Sequence, residues 1–108
     1  MSATELYVRH WFEHHALSRA TPTLRQHSRD WIKEAAEAHA DFEEWLRTIA
    51  LEALSGSDPA IVRRGLIALA VVADANDLSR IEALKDSTDA GVAADARATV
   101  FDIKHRAV

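Results

Sequence analysis

From Gly65 to Ala73 the chain reads Gly-Leu-Ile-Ala-Leu-Ala-Val-Val-Ala, nine residues without a charged or polar side chain. Such a run is about half of the roughly 20 residues that a helix needs to cross a bilayer, so it predicts a helix buried inside a folded domain and no membrane span. In helical projection Ile61, Val62, Gly65, Leu66, Leu69, Val72 and Ala73 share one broad face, and Ile67 and Val71 add apolar surface on the other. A helix apolar nearly all round has to be covered from more than one side. It is therefore expected at the centre of a layered helical stack, with the third, fifth and sixth helices of the chain around it.

The rest of the sequence supplies those helices. Ala dominates the apolar residues, and only three Gly and two Pro interrupt 108 positions, a balance that favours helix. Ser2 and Glu5 have capping-box spacing and start a first helix over residues 3–19. Thr21-Pro22 starts a second, to about His39, with Thr as N-cap and Pro in the first turn. Leu24, Ser28, Trp31, Ala35, Ala38, Phe42, Trp45 and Ile49 then alternate at spacings of four and three. That seam fits one long helix to Leu54, or a break at Asp41, which with Glu44 forms a further capping-box pair. The break is preferred, giving a third helix over 42–54. Ser55-Gly56-Ser57-Asp58-Pro59 ends it and starts the fourth, to about Asp74. Asp77 is expected to cap a fifth helix that ends near Lys85, and the break at 86–89 precedes a sixth over 90–105.

Length favours a single domain with one core. Thirteen Lys and Arg against seventeen Asp and Glu give a net charge of −4, with neither half forming a basic lobe, which disfavours nucleic acid as the partner. No cysteine is present, so disulfides and thiolate zinc sites are excluded. The first residues show no basic and apolar leader pattern, and a cytoplasmic location is the expectation.

His10-Trp11-Phe12-Glu13-His14 matches the H-x-x-E-H arrangement, in which two His one helical turn apart bind zinc and the Glu serves as base. A catalytic zinc needs at least a third protein ligand, and nothing in the sequence brings one to this helix. The histidines are accordingly read as ordinary surface or half-buried residues, with no metal and no cofactor assigned. Trp31 and Trp45 lie on the apolar seam and read as core, whereas Trp11, beside Tyr7 and the histidines, is a candidate contact residue. Glu34, Glu37, Asp41, Glu43 and Glu44 form an acidic run that reads as a solvated face. No phosphate loop, nucleophile elbow or catalytic triad stands out, so an enzyme is not expected.

The segment from Asp58-Pro59 through Val62-Arg63-Arg64 to Leu69, followed by Asp74, Asp77-Leu78 and Ala83-Leu84-Lys85-Asp86, resembles a HEAT-like helical repeat. A weaker copy follows 34 residues later, where Ala96 to Ile103 aligns with Val62 to Leu69 and Arg97 falls on Arg63. The resemblance covers about residues 57–106. It implies an all-α, right-handed stack of antiparallel helix hairpins, a fragment of an α-solenoid with about six helices. Residues 1–54 would then act as capping helices and 55–108 as the repeats. It also implies a ladder of turn Asp and helical Arg side chains, for which Asp58, Arg63, Asp89 and Arg97 hold the corresponding positions.

Stacked hairpins expose a row of second helices as a shallow groove. The expected function is therefore a non-enzymatic module that binds another protein through that face, with Arg25, Arg29, Arg63, Arg64, Arg97 and Trp11 as contact residues. A homodimer that covers a terminal hairpin is compatible with this reading. The alternatives are nucleic-acid binding through the same arginines and, behind it, a hydrolase built on His10 and His14.

Overall fold

The computed structural model describes residues 2–15 and 17–106. Within them lie six helices: α1 (Ala3–His14), α2 (Pro22–Ala38), α3 (Phe42–Ala53), α4 (Pro59–Val72), α5 (Leu78–Glu82) and α6 (Ala90–Arg106). A single 3-10 turn, Ala75–Asp77, precedes α5, and there is no strand among the described residues. No helix among them is long and apolar enough to cross a membrane.

Local capping chemistry explains most of the boundaries. Ser2 Oγ accepts the Glu5 amide at 3.0 Å and Thr21 Oγ1 accepts that of Leu24 at 3.1 Å. Asp58 takes the Ala60 amide at 3.0 Å, and Asp89 takes that of Val92 at 2.9 Å. Each bond satisfies one of the amides that the first turn of a helix leaves without a partner. The break between α2 and α3 is real, but the Asp41 side chain makes no capping bond there. Asp74, which the sequence placed at the end of α4, instead opens the 3-10 turn by accepting the Asn76 amide at 2.9 Å. Asp77 returns the bond to the Asp74 amide at 3.1 Å and provides no side-chain cap for α5.

Two helices are shorter than expected. The end of α1 comes at His14 rather than Arg19, because downstream contacts capture the chain. Leu17 is buried, the Ser18 amide donates to Ser28 Oγ at 3.0 Å, and that hydroxyl donates back to the Ser18 carbonyl at 3.0 Å. Only five residues belong to α5, and carbonyl-to-amide contacts three residues apart carry the chain on through Lys85.

The central position of α4 follows from its composition. Val62, Gly65, Leu66, Ile67, Ala68, Leu69 and Ala70 are all buried. Its main neighbours are α3 and α6, and α2 also packs on it. The third neighbour is thus α2 and not α5, which leans on α6 instead. Gly65 marks the tightest point, since a Cβ there would lie 2.9 Å from the Ala50 carbonyl oxygen and 3.2 Å from Ala53 Cβ. Along α2 and α3 the expected seam holds at Ser28, Ala35, Phe42 and Ile49, which are buried, but not at the two tryptophans. Ile32 and Leu46 are fully buried, while Trp31 and Trp45 pack partly buried against the core's edge. Each fully buried aliphatic side chain of this kind contributes about 1.5–3 kcal/mol.

Candidate functional site

Arginines join the helices to one another, and this decides which cations are left for a ligand. Arg47 on α3 holds Asp77 through two bonds, of 2.7 and 2.8 Å. The hydrogen bonds from Arg47 keep the Asp77 carboxyl below the ordinary carboxylate range, and burial opposes this only in part. Arg63 on α4 donates from Nε to Asp95 on α6 at 2.8 Å, and this bond raises the guanidinium's own pKa. Its plane crosses over Gly91, where a Cβ would lie within 2.8 Å of it. Arg64 donates to the Phe12 carbonyl at 2.6 Å and also to that of His15, so it closes the C-terminal end of α1. Arg97 donates to the Lys85 carbonyl at 3.0 Å. Arg106 does the same for α4, bonding the carbonyls of Ala70, Val71 and Ala73. Helix C-termini carry unsatisfied carbonyls and partial negative charge, so a guanidinium there is stabilising.

Four of the six expected contact residues are therefore engaged within the chain. Arg63, Arg64 and Arg97 have the partners just given, and Asp58 and Asp89 cap their own helices. Trp11 is 4% exposed, with its ring edge-on to Phe42 at 5.0 Å and stacked on His15 at 4.3 Å. It is a core residue.

Arg25 and Arg29 are different. With Lys33 they stand at i, i+4 and i+8, so the geometry of a helix lines them up along one side of α2. Arg29 borders a cleft of about 410 Å³ between α2 and the C-terminal halves of α4 and α6, together with Lys33, Glu43, Asp102, His105 and Arg106. A narrower recess with Arg19 and Arg25 on its walls shares Arg29 and Asp102 with it. Across the two, five Lys and Arg side chains face two carboxylates. Arg19 pairs with Asp102 and donates to Thr99 Oγ1 at 3.1 Å, and that hydroxyl donates to the Leu66 carbonyl at 2.9 Å. Arg29 approaches Asp102 only to 3.9 Å and is 40% exposed. Among the described residues Arg25 and Lys33 enter no ion pair, which leaves these two, and Arg29 beyond its long contact with Asp102, for an outside anion.

Lys33, Asp102, His105 and Arg106 were not singled out from the sequence. The spacing of Lys33 from Arg25 and Arg29 was a usable signal. Nothing in the sequence brings Asp102, His105 and Arg106 to α2.

A second recess, of about 260 Å³, lies along α1 and is lined by Tyr7, His10, Trp11, His14 and His15. The His10 and His14 rings stack there with centroids 4.1 Å apart. No group of three or more His, Asp or Glu side chains among the described residues is placed to hold a metal ion. The ligand set of a catalytic zinc centre is thus not assembled around this pair. Comparison with protein-family models, with curated proteins and with solved structures gives no match for the chain.

Proposed function

We propose that this chain is a non-enzymatic protein-binding module that takes an acidic segment of a partner protein into the cleft beside α2. One observation carries the proposal: in a chain of net charge −4, Arg25, Arg29 and Lys33 line two adjoining recesses whose other two cations, Arg19 and Arg106, are held within the chain and whose carboxylates are only Asp102 and Glu43. Guanidinium groups bind carboxylates through strong charge-assisted bonds, and Asp102 already accepts one from Arg19. An incoming Glu or Asp side chain would find Arg29, Arg25 and Lys33 next to it. The cleft has the volume of a few side chains and contains Glu43 and Asp102, which suits a peptide carboxylate better than a phosphate backbone.

The HEAT-like arrangement belongs to the same proposal. It is supported by the packing of α3 on α4 and of α5 on α6 as hairpins and of α4 on α6 between them, whereas α1 packs on α3 rather than on α2, as a capping segment would.

Fluorescence anisotropy with a short fluorescein-labelled oligoglutamate peptide tests the proposal. The double variant Arg29→Glu/Lys33→Glu should weaken binding at least about tenfold, equivalent to ~1.4 kcal/mol. Lys85→Glu repeats a charge reversal outside the cleft and should leave binding unchanged. Equal weakening by Lys85→Glu, or no binding of the peptide, overturns the proposal. Tighter binding of a single-stranded oligonucleotide with a steep salt dependence would transfer the cleft to nucleic acid. Self-association abolished by the double variant would instead make a second copy of the chain its occupant.

A further inference from the structure

We infer that His10 and His14 form a chelating site for a divalent transition ion of the Cu²⁺, Ni²⁺ or Zn²⁺ type on the outer side of α1. The site uses no residue of the cleft and does not depend on the function proposed above. Three observations carry it.

The first is placement. The two imidazoles sit one helical turn apart, exposed, with centroids 4.1 Å apart and planes inclined by 24°. The rings are stacked, so the nitrogen lone pairs, which lie in the ring planes, run side by side; to place two nitrogens on one ion, roughly 3 Å apart with bonds of about 2.0–2.1 Å, the rings have to turn out of the stack. The second torsion of a His side chain is broad, and both of these rings are exposed, so they can make that turn.

The second is tautomer. His14 Nδ1 lies 2.8 Å from the His10 carbonyl oxygen. That oxygen can only accept, so Nδ1 carries the proton in the neutral ring and the lone pair is on Nε2. A ligating histidine is oriented by this kind of bond from its other nitrogen.

The third is surroundings. Tyr7, Trp11 and His15 wall a recess of about 260 Å³ beside the pair, with room for water in the remaining coordination positions. The one guanidinium on the helix, Arg9, is held by Glu5 and Glu52, and Glu13 adds a negative charge next to His14. Imidazole nitrogen suits Cu²⁺, Ni²⁺ and Zn²⁺, with Cu²⁺ bound most tightly.

The structure thus assigns the H-x-x-E-H segment a two-histidine chelate with open positions rather than the catalytic centre for which a third ligand is missing. The test uses untagged full-length protein titrated with Cu²⁺, followed by calorimetry and by electron paramagnetic resonance. Expected are one ion per chain at the tightest site and a spectrum with two ring nitrogens coupled to copper. His10→Ala and His14→Ala should each weaken that site at least about tenfold and remove one nitrogen coupling. His105→Ala should change neither. Unchanged affinity in His14→Ala, or an equal loss in His105→Ala, means adventitious binding and overturns the inference. Because His10 and His14 are exposed, the circular dichroism of both variants should match the parent.

Discussion

The substitution Gly65→Ala puts the position of α4 to a direct test, because two effects of known size act in opposite directions. In an exposed helix interior the change would stabilise by about 0.8–1 kcal/mol, since Ala is the better helix former. Here the added methyl would lie 2.9 Å from the Ala50 carbonyl oxygen, 3.2 Å from Ala53 Cβ and 3.6 Å from Leu54 Cδ2. The nearest of these is main chain of the neighbouring helix, which cannot turn away as a side chain can. Relief requires α3 to move off by roughly half an ångström, and a gap of that size forfeits about a quarter of each contact's attraction along the α3/α4 seam. Overpacking of this kind costs about 1–3 kcal/mol. Subtracting the propensity gain leaves a net loss of about 0–2 kcal/mol. Urea unfolding followed by tryptophan fluorescence and far-UV circular dichroism would read it as a lower midpoint with an unchanged slope. In a thermal scan the loss corresponds to about 4–8 °C per kcal/mol. Gly91→Ala is the internal comparison. Its methyl would meet the Arg63 guanidinium, a half-exposed side chain that can move where main chain cannot, at the cost of its bond to Asp95, so its loss should be smaller than that of Gly65→Ala. A midpoint raised by Gly65→Ala would mean that propensity alone operates there, and the close crossing of α3 and α4 would be refuted.

Two further predictions concern the polar groups that join the helices. Asp77 has a folded pKa below its ordinary value, so its stabilising contribution is complete above about pH 4 and is lost as pH falls through the lower folded value. Asp77→Asn should therefore flatten the acid limb of a plot of urea midpoint against pH, and an unaltered limb would refute the Arg47 pairing. Thr99→Val keeps the shape of a fully buried side chain but removes its bonds to the Leu66 carbonyl and to Arg19. It should cost about 1–3 kcal/mol in the same unfolding assay, and a neutral result would refute the placement of that hydroxyl.

Much of the fold was legible because it is local. Thr21-Pro22 and Asp58-Pro59 start helices through bonds that span two or three residues, and those bonds are present. The buried α4 followed from a run too apolar for any exposed helix. Where the expectations failed, the cause was distant. The bonds that hold the chain at and beyond the end of α1 are distant: Ser18 and Ser28 bond reciprocally across ten positions, and Arg64 takes the His15 carbonyl across 49. Trp11 reads as a contact residue because it lies beside Tyr7 and the histidines, yet α3 brings Phe42 against it.

The candidate site was legible only along α2, where Arg25, Arg29 and Lys33 keep helical spacing. The same residue types on α4 and α6 were read as contacts for a partner, and the structure engages Arg63, Arg64 and Arg97 within the chain.

By itself, then, the sequence determined where helices begin, which one is central and that no strand forms among the described residues, since propensity, capping and hydrophobic periodicity all act within a few residues. Only the tertiary structure decided which guanidinium meets which carboxylate or carbonyl. Arg47 with Asp77, Arg63 with Asp95 and Arg19 with Asp102 are joined across 30, 32 and 83 positions. A flexible side chain of that reach has many possible partners along the chain, and helix packing, which brings only some of them within about 3 Å, selects among them. The cations left over from that selection define the cleft.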